Sequence, residues 1–457
     1  MGKLTVRERV AALADPGSFR EVGKLAGKAT YDAAGQLKSF EPAPYVMGLG
    51  RINGRPVAIG GEDYTIRAGT GFGSDRRKGG QGGFIEDLAF EYRIPLINLI
   101  DGTGGTVNTA KRKGYTVVPG YGQDGIERSV ELLGQVPVVS AVMGTTAGGP
   151  SMRAILAHWS IMVKGTGQIF AAGPPVVKQA LGIDIDKEAL GGVDVHRQSG
   201  FVNNIAGSQD EAMEIVRSFL SYLPSNVWEQ PPRGDTSDPP DREEAWLNSA
   251  IPRNRRQTFA PLPILKAIFD AGSVFELSPL FGRSTITAFA RLNGYPVGVI
   301  TNNPSIMGGA LTAAAARKLE RFVDLCDTFH LPIVNLPDQP GTMTGPAAER
   351  EGTMVAALKA SAAIEQSSVP WIAVVLRRNF GLAGGMVSPW VGPSGTALPH
   401  RFGWPSARWG SIPIEGGVAA AYKREIEASD DPQKTRETLE AGFAPIGSPF
   451  RSAEKFG

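Results

Sequence analysis

Three glycine-rich stretches could do chemistry without a reactive side chain: Asp101-Gly102-Thr103-Gly104-Gly105-Thr106, Thr146-Ala147-Gly148-Gly149-Pro150 and Gly381-Leu382-Ala383-Gly384-Gly385-Met386. Each follows a short apolar run and precedes residues able to start a helix. Glycine lets the backbone approach a ligand closely, and the first turn of a helix offers N–H groups without partners and a partial positive charge. Such a turn suits a developing oxyanion. In a dry site one well-aimed donor supplies roughly 2.7 to 4 kcal/mol of transition-state stabilisation. Tight strand-to-helix packing explains any lone Gly-Gly pair better; recurrence of the arrangement along the chain favours chemistry.

Rival chemistries lack their residues. The histidines at 158, 196, 330 and 400 show no metal-ligand spacing, so no metal is expected. No Gly-x-Ser-x-Gly elbow or Ser-His-Asp order stands out. Arg76, Arg77 and Lys78 lie in a glycine-rich run, basic enough to meet a phosphate, but the run matches neither the phosphate-loop nor the dinucleotide pattern. Net charge is +2, which gives no field that would draw a nucleic acid or a membrane surface. The start, MGKLTVRERV, has no apolar core, and no run approaches the roughly 18 apolar residues of a spanning helix. One cysteine, Cys326, excludes an internal disulfide, so a cytoplasmic setting is expected.

The elements that must position these turns read as α/β. Apolar β-branched runs at 94–100 and 136–142 alternate with helical patterns at 84–92 and 311–329, and runs apolar throughout suit strands covered on both faces. The chain also repeats itself. DPGSFREV at 15 returns as DAGSVFEL, 255 residues on (270 less 15). RINGRPV at 51 returns as RLNGYPV (291 less 51 is 240), and IPLINLID at 94 as LPIVNLPD (331 less 94 is 237). By the same matching, Gly148-Gly149 pairs with Gly384-Gly385 (384 less 148 is 236). Recurrence in one order at nearly constant spacing marks a tandem duplication. The Pro- and Asp-rich stretch between the copies disfavours helix and strand. The expected domains are therefore 1–230 and 247–457, joined by a linker at 231–246.

Several words together are specific: DPGSF, GRINGRPV, EDYT, the AGG after VVSAVMG, EALGG at 188, YLPSN at 222, RFVDLCD at 321 and GWPSA at 403. In this order the sequence resembles the carboxyltransferase β subunits of biotin-dependent acyl-CoA carboxylases, propionyl-CoA carboxylase β-like, and related biotin-dependent decarboxylases. The resemblance spans nearly the whole chain. It implies a ClpP/crotonase-like (β-β-α superhelix) fold in each half and an active site between the first half of one subunit and the second half of another. A homo-oligomer follows, a hexamer built as a trimer of dimers or at least a dimer.

Carried over by position, the acyl-CoA side comprises Gly104, Gly105, Thr106, Ala147, Gly148, Gly149, Pro150 and Ser151, with Arg76, Arg77 and Lys78 for CoA phosphates and Ser388 near the acyl chain. The biotin side comprises Gly341, Gly345, Gly384, Gly385 and Met386. Catalysis would rest on main-chain amides at 148, 149, 384, 385 and 386. Neither a Met-Lys-Met biotinylation word nor an ATP-binding motif is present, so biotin would arrive on a carrier protein charged by a separate biotin carboxylase, with a CoA thioester as the other substrate.

Four departures mark a divergent member. Pro150 stands where the family has Ala, and proline has no N–H to donate, which leaves the hole short of one donor unless Ser151 replaces it. Thr106 and Val107 follow Gly104-Gly105 in place of Ala-Arg, an Arg-His pair after Glu349 is missing, and Ser388 replaces an acidic residue. Two further readings stay open: decarboxylation of a malonyl-type thioester, and a non-catalytic scaffold subunit.

Overall fold

The computed structural model describes residues 3–70, 83–104, 111, 114–116, 126–254, 257–390, 400–443 and 445–456. The chain divides into two compact units, Met1–Gln230 and Pro231–Gly457. The first contains α1 (Val6–Leu13), β1 (Arg20–Val22), β2 (Gly27–Tyr31), β3 (Leu37–Pro42), β4 (Tyr45–Ile52), β5 (Arg55–Glu62), α2 (Phe84–Tyr92), β6 (Leu96–Ile100) and α3 (Glu127–Leu133). It continues with β7 (Val138–Val142), β8 (Thr145–Ala147), α4 (Gly149–Ile155), β9 (Trp159–Val163), β10 (Gln168–Phe170), β11 (Asn204–Ala206) and α5 (Gln209–Ser221). Seven strands form one sheet in the order β1-β4-β5-β6-β7-β9-β11, antiparallel up to β5 and parallel from there on. β8 and β10 pair separately, parallel, and β2 and β3 form a hairpin.

The second unit repeats this plan with β12 (Phe275–Leu277), β13 (Thr285–Leu292), β14 (Tyr295–Asn302), α6 (Ala313–Thr328), β15 (Ile333–Leu336), α7 (Thr353–Gln366), β16 (Trp371–Val375), β17 (Arg378–Phe380), α8 (Gly381–Gly385), β18 (His400–Gly403) and β19 (Arg408–Gly410). Its sheet runs β12-β13-β14-β15-β16-β18, with β17 and β19 paired apart. No helix among the described residues is long and apolar enough to cross a membrane.

Hydrogen bonding explains why these particular words recur. Asn53-Gly54 and Asn293-Gly294 turn the β4–β5 and β13–β14 hairpins with φ of 51° and 77°, then 50° and 79°, the left-handed pair that a two-residue hairpin requires. Each turn is clamped by the Asp of the repeated Asp-x-Gly-Ser. Asp15 accepts from the amides of Asn53 and Gly54 at 2.9 and 2.7 Å, and Asp270 from those of Asn293 and Gly294 at 3.0 and 2.7 Å. The serine hydroxyls finish the clamp, Ser18 accepting from Arg51 N and Ser273 from Arg291 N at 3.1 and 3.0 Å.

Strands β6 and β7 begin two residues later than the apolar runs suggest, because Pro95 and Pro137 stand at their entrances. Proline contributes only its carbonyl there: Pro95 O accepts from Ala58 N and Pro137 O from Leu96 N. Pro332 and Pro370 do the same in the second unit, accepting from Gly298 N and Ile333 N. The helix expected at 311–329 starts at Ala313, since Thr312 caps it, its hydroxyl accepting from Ala315 N at 3.1 Å. All five residues of β6, β7 and β9 are buried. The stretch read as a linker is held to the second unit: Gly234 N donates to Gly294 O at 2.8 Å, and Asp238 accepts from Ala271 N at 2.8 Å.

Candidate active site

In the first unit two chain segments meet as bare backbone. After β6 the chain passes through Asp101 and Gly102 to Gly104; after β8 it turns at Gly148, with φ 63° and ψ −128°, into α4. Ala147 N donates to Gly102 O at 3.2 Å, joining the two. A Cβ on Gly104 would lie 2.9 Å from Ala147 O and 3.0 Å from Gly148 Cα, so a side chain there would push the segments apart. Pro150 falls in the first turn of α4, where a missing N–H breaks no helical bond.

Donor availability follows from the hydrogen bonds. Ser151 N donates to Gly148 O at 2.9 Å and Met152 N to the same oxygen at 3.3 Å. The Ser151 amide is thus engaged and does not replace the donor missing at Pro150; its hydroxyl donates to Phe170 O at 3.2 Å. The N–H groups of Gly148 and Gly149 have no backbone acceptor among the described residues. They are the donors this turn offers. Gly105, Thr106, Arg76, Arg77 and Lys78, named from the sequence, lie outside the described residues.

The second unit corrects the register of its own turn. Ala147 N bonds to Gly102 O; the matching bond runs from Phe380 N to Gln339 O at 3.0 Å. β8 and β17 therefore correspond (378 less 145 is 233), and Gly148 corresponds to Gly381, whose φ is 67°. Gly384 and Gly385 lie three residues past the positions that match Gly148 and Gly149, at the C-terminal end of α8. Met386 N is engaged too, donating to Ala383 O at 3.2 Å. The word match slid because Leu382 follows the entering Gly381, and the Gly-Gly pair of this stretch stands about one helical turn later. From the start of β6 to the start of β7 the first unit also has four more residues (138 less 96 is 42) than the second has from the start of β15 to the start of β16 (371 less 333 is 38), so the spacing changes there.

The remaining residues are placed as follows. A Cβ on Gly341 would be 3.8 Å from Phe380 O, which puts Gly341 beside the Gly381 turn, while Gly345 has open space around it. Gly384 packs on Asn379, whose Nδ2 donates to Gly384 O at 2.8 Å. Ser388 is buried, and its hydroxyl accepts from Arg401 Nε at 2.8 Å. His196 has both ring nitrogens occupied, by Ile169 O at 2.7 Å and Ser199 Oγ at 3.2 Å, which orders its loop.

Sequence reasoning missed the charges beneath the first turn. Asp101 is buried against Lys3 at 2.8 Å and Arg9 at 2.9 Å, and Asp338 is buried against Arg377 at 2.7 Å and Arg378 at 2.6 Å. The Asp that ends both copies of the repeated strand word was the available signal. Glu62 and Arg153, also buried and paired, carried no comparable signal because they lie 91 residues apart (153 less 62).

A family model for the carboxyl transferase domain matches residues 1–454. The chain belongs to the carboxyl transferase family. The carboxyltransferase subunit of propionyl-CoA carboxylase from Haloferax mediterranei is 30% identical to this carboxyltransferase over 460 residues, 99% of this chain and 86% of the relative. The methylmalonyl-CoA decarboxylase subunit alpha of Veillonella parvula is 31% identical, again over 99% and 86%. The crystal structure of transcarboxylase 12S, a hexamer with methylmalonyl-coenzyme A and methylmalonic acid bound, superposes with a TM-score of 0.86 at 29% identity, over all of this chain and 85% of the other. This likeness bears out the crotonase-like α/β class and the reading as a carboxyltransferase of the acyl-CoA carboxylase β-subunit type.

Proposed function

We propose that this carboxyltransferase moves a carboxyl group from biotin on a separate carrier protein to the activated carbon of a CoA thioester or related carbonyl acceptor. The first unit takes the acceptor at Gly148 and Gly149. The second takes biotin at Gly381, Leu382 and Ala383, the counterparts of Gly148, Gly149 and Pro150, beside Gly341 and Gly345. One observation carries the reading: two turns in one hydrogen-bond frame, each entered through a glycine with positive φ at the start of a helix. The first has two N–H groups, of Gly148 and Gly149, without a backbone acceptor among the described residues, and these can stabilise an oxyanion.

The second turn fits a flat, uncharged ureido ring, since side chains are absent at Gly341, Gly345 and Gly381 and a Cβ at Gly345 would meet nothing. Biotin, when bound, supplies the transferable carboxyl group, and its ureido nitrogen, once relieved of it, is a base for the acceptor's proton. This chain's residues would bind, orient and polarise through the main chain. By the same reading the partners are a biotin carboxyl carrier protein and a biotin carboxylase, copies of this chain assemble as a hexamer, transcarboxylase 12S being a hexamer, and the setting is the cytoplasm.

A second reading, decarboxylation of a malonyl-type thioester, is favoured by the likeness to the Veillonella parvula decarboxylase subunit. The test incubates the purified chain with carboxylated biotin carrier and a panel of CoA and non-CoA acceptors, then runs malonyl-type thioesters with uncharged carrier. Carboxyl transfer to one acceptor is expected, lost in Gly381→Val and kept in Gly385→Ala, whose new Cβ would sit 3.7 Å from the Trp390 ring. Turnover only of the malonyl-type thioester would select the second reading. No transfer with any pairing would reject both and leave a scaffold subunit.

A further inference from the structure

Beneath the first turn lies a set of buried charges that main-chain catalysis leaves without a task. Glu62, Arg153, Tyr45, Asp101 and Arg9 are each at most 4% exposed. One oxygen of Glu62 pairs with Arg153 Nη2. The other, Oε2, accepts from Asp101 N at 3.1 Å. Arg153 Nη1 donates to Tyr45 Oη at 2.9 Å. Stability does not explain such a pair, because well-packed apolar residues of similar volume usually serve a core as well or better.

Its location is more informative. Arg153 lies on α4 about one turn after Gly149. The Asp101 amide held by Glu62 precedes Gly102, whose carbonyl accepts from Ala147 N. One carboxylate therefore grips both the segment that braces the entry to Gly148 and the helix that leaves it. A Cβ on Gly102 would lie 2.6 Å from Glu62 Cγ, so the carboxylate side chain runs directly under that segment.

The duplication supplies an internal control. The counterpart of Glu62 is Asn302 (302 less 62 is 240), whose Oδ1 accepts from Asp338 N at 3.1 Å and whose Nδ2 donates to Gly309 O at 3.1 Å. The counterpart of Arg153 is Met386, also buried (386 less 153 is 233). The Asp-to-arginine pairing recurs in both units, but the Glu62–Arg153 pair does not. The same sheet and turn are thus built without this ion pair, which sets its role apart from folding.

We propose that Glu62 and Arg153 are positioning residues, holding α4 so that the Gly148 and Gly149 N–H groups stay fixed on the acceptor's oxyanion. The inference rests on the acceptor assignment above. With Pro150 offering no N–H, Gly148 and Gly149 are the donors left in this turn among the described residues, and their aim matters more.

Glu62→Asn combined with Arg153→Met installs the second unit's own residues. The double variant is expected to fold and assemble as the wild type does, while hydrogen exchange in the peptide 145–156 speeds up and the rest of the chain is unchanged. Its kcat should fall about 100-fold, the scale of a misplaced catalytic group, with KM for the acceptor nearly constant, the mark of an interaction made in the transition state. Arg153→Lys keeps the charge without the planar fork and should fall in between. Unchanged exchange in 145–156, full kcat, or a double variant that does not fold would each overturn the positioning role. A wild-type chain that carboxylates nothing would instead defeat the acceptor assignment, and the exchange comparison still decides whether the pair fixes α4.

Discussion

At position 150 the chain gives up an N–H in the first turn of α4, beside the turn proposed to hold the acceptor's oxyanion. The proline suits the helix, since its fixed φ is ready for the first turn. It does not suit an oxyanion, and the nearest substitute, Ser151 N, is already bonded to Gly148 O. Pro150→Ala is therefore expected to raise kcat with a CoA-thioester acceptor by about 10-fold, below the 10²–10³ that a fully aimed donor is worth. It should also lower stability by roughly 0.5–1 kcal/mol through the freer unfolded chain. Steady-state kinetics and urea unfolding on one preparation measure both, and an unchanged or lower kcat would show that two donors suffice.

Among the elements, the packing of α3 against β7 is tied by a histidine that must stay neutral. His158 Nδ1 accepts from Val138 N at 3.0 Å, which fixes the proton on Nε2, facing Leu133 O at 2.9 Å. Burial pushes its pKa down to about 4 from an ordinary 6.5. In the unfolded chain the ring takes up a proton near pH 6.5; in the folded chain it does so only near pH 4. Its contribution to stability is thus whole above 6.5 and is lost as pH falls through that window, by roughly 3 kcal/mol. His158→Gln should flatten the unfolding free energy between pH 6.5 and 4. An undiminished slope would assign the loss to other groups.

For the whole molecule, the transcarboxylase likeness makes an assembly of copies part of the proposal. Light scattering of the purified chain at micromolar concentration is expected to give a hexamer. A monomer that nonetheless carboxylates an acceptor would remove the shared site from the proposal.

Three of the repeated words can be traced to a physical need local enough for a few residues to state. Asp15 and Asp270 each hold two amides of an Asn-Gly hairpin, and Pro95 and Pro332 each lend a carbonyl to a neighbouring strand. Those needs are short in range, so the duplication, the α/β class, the glycine turns and the family resemblance were all legible in the sequence. Tertiary structure alone decided which glycine enters the second turn. Gly381 and Gly384 look alike as letters, and only the bond from Phe380 N to Gln339 O selects between them. It alone brought Glu62 under Gly102 and against Arg153, because a pairing across three elements depends on how the strands stack rather than on any run of neighbours.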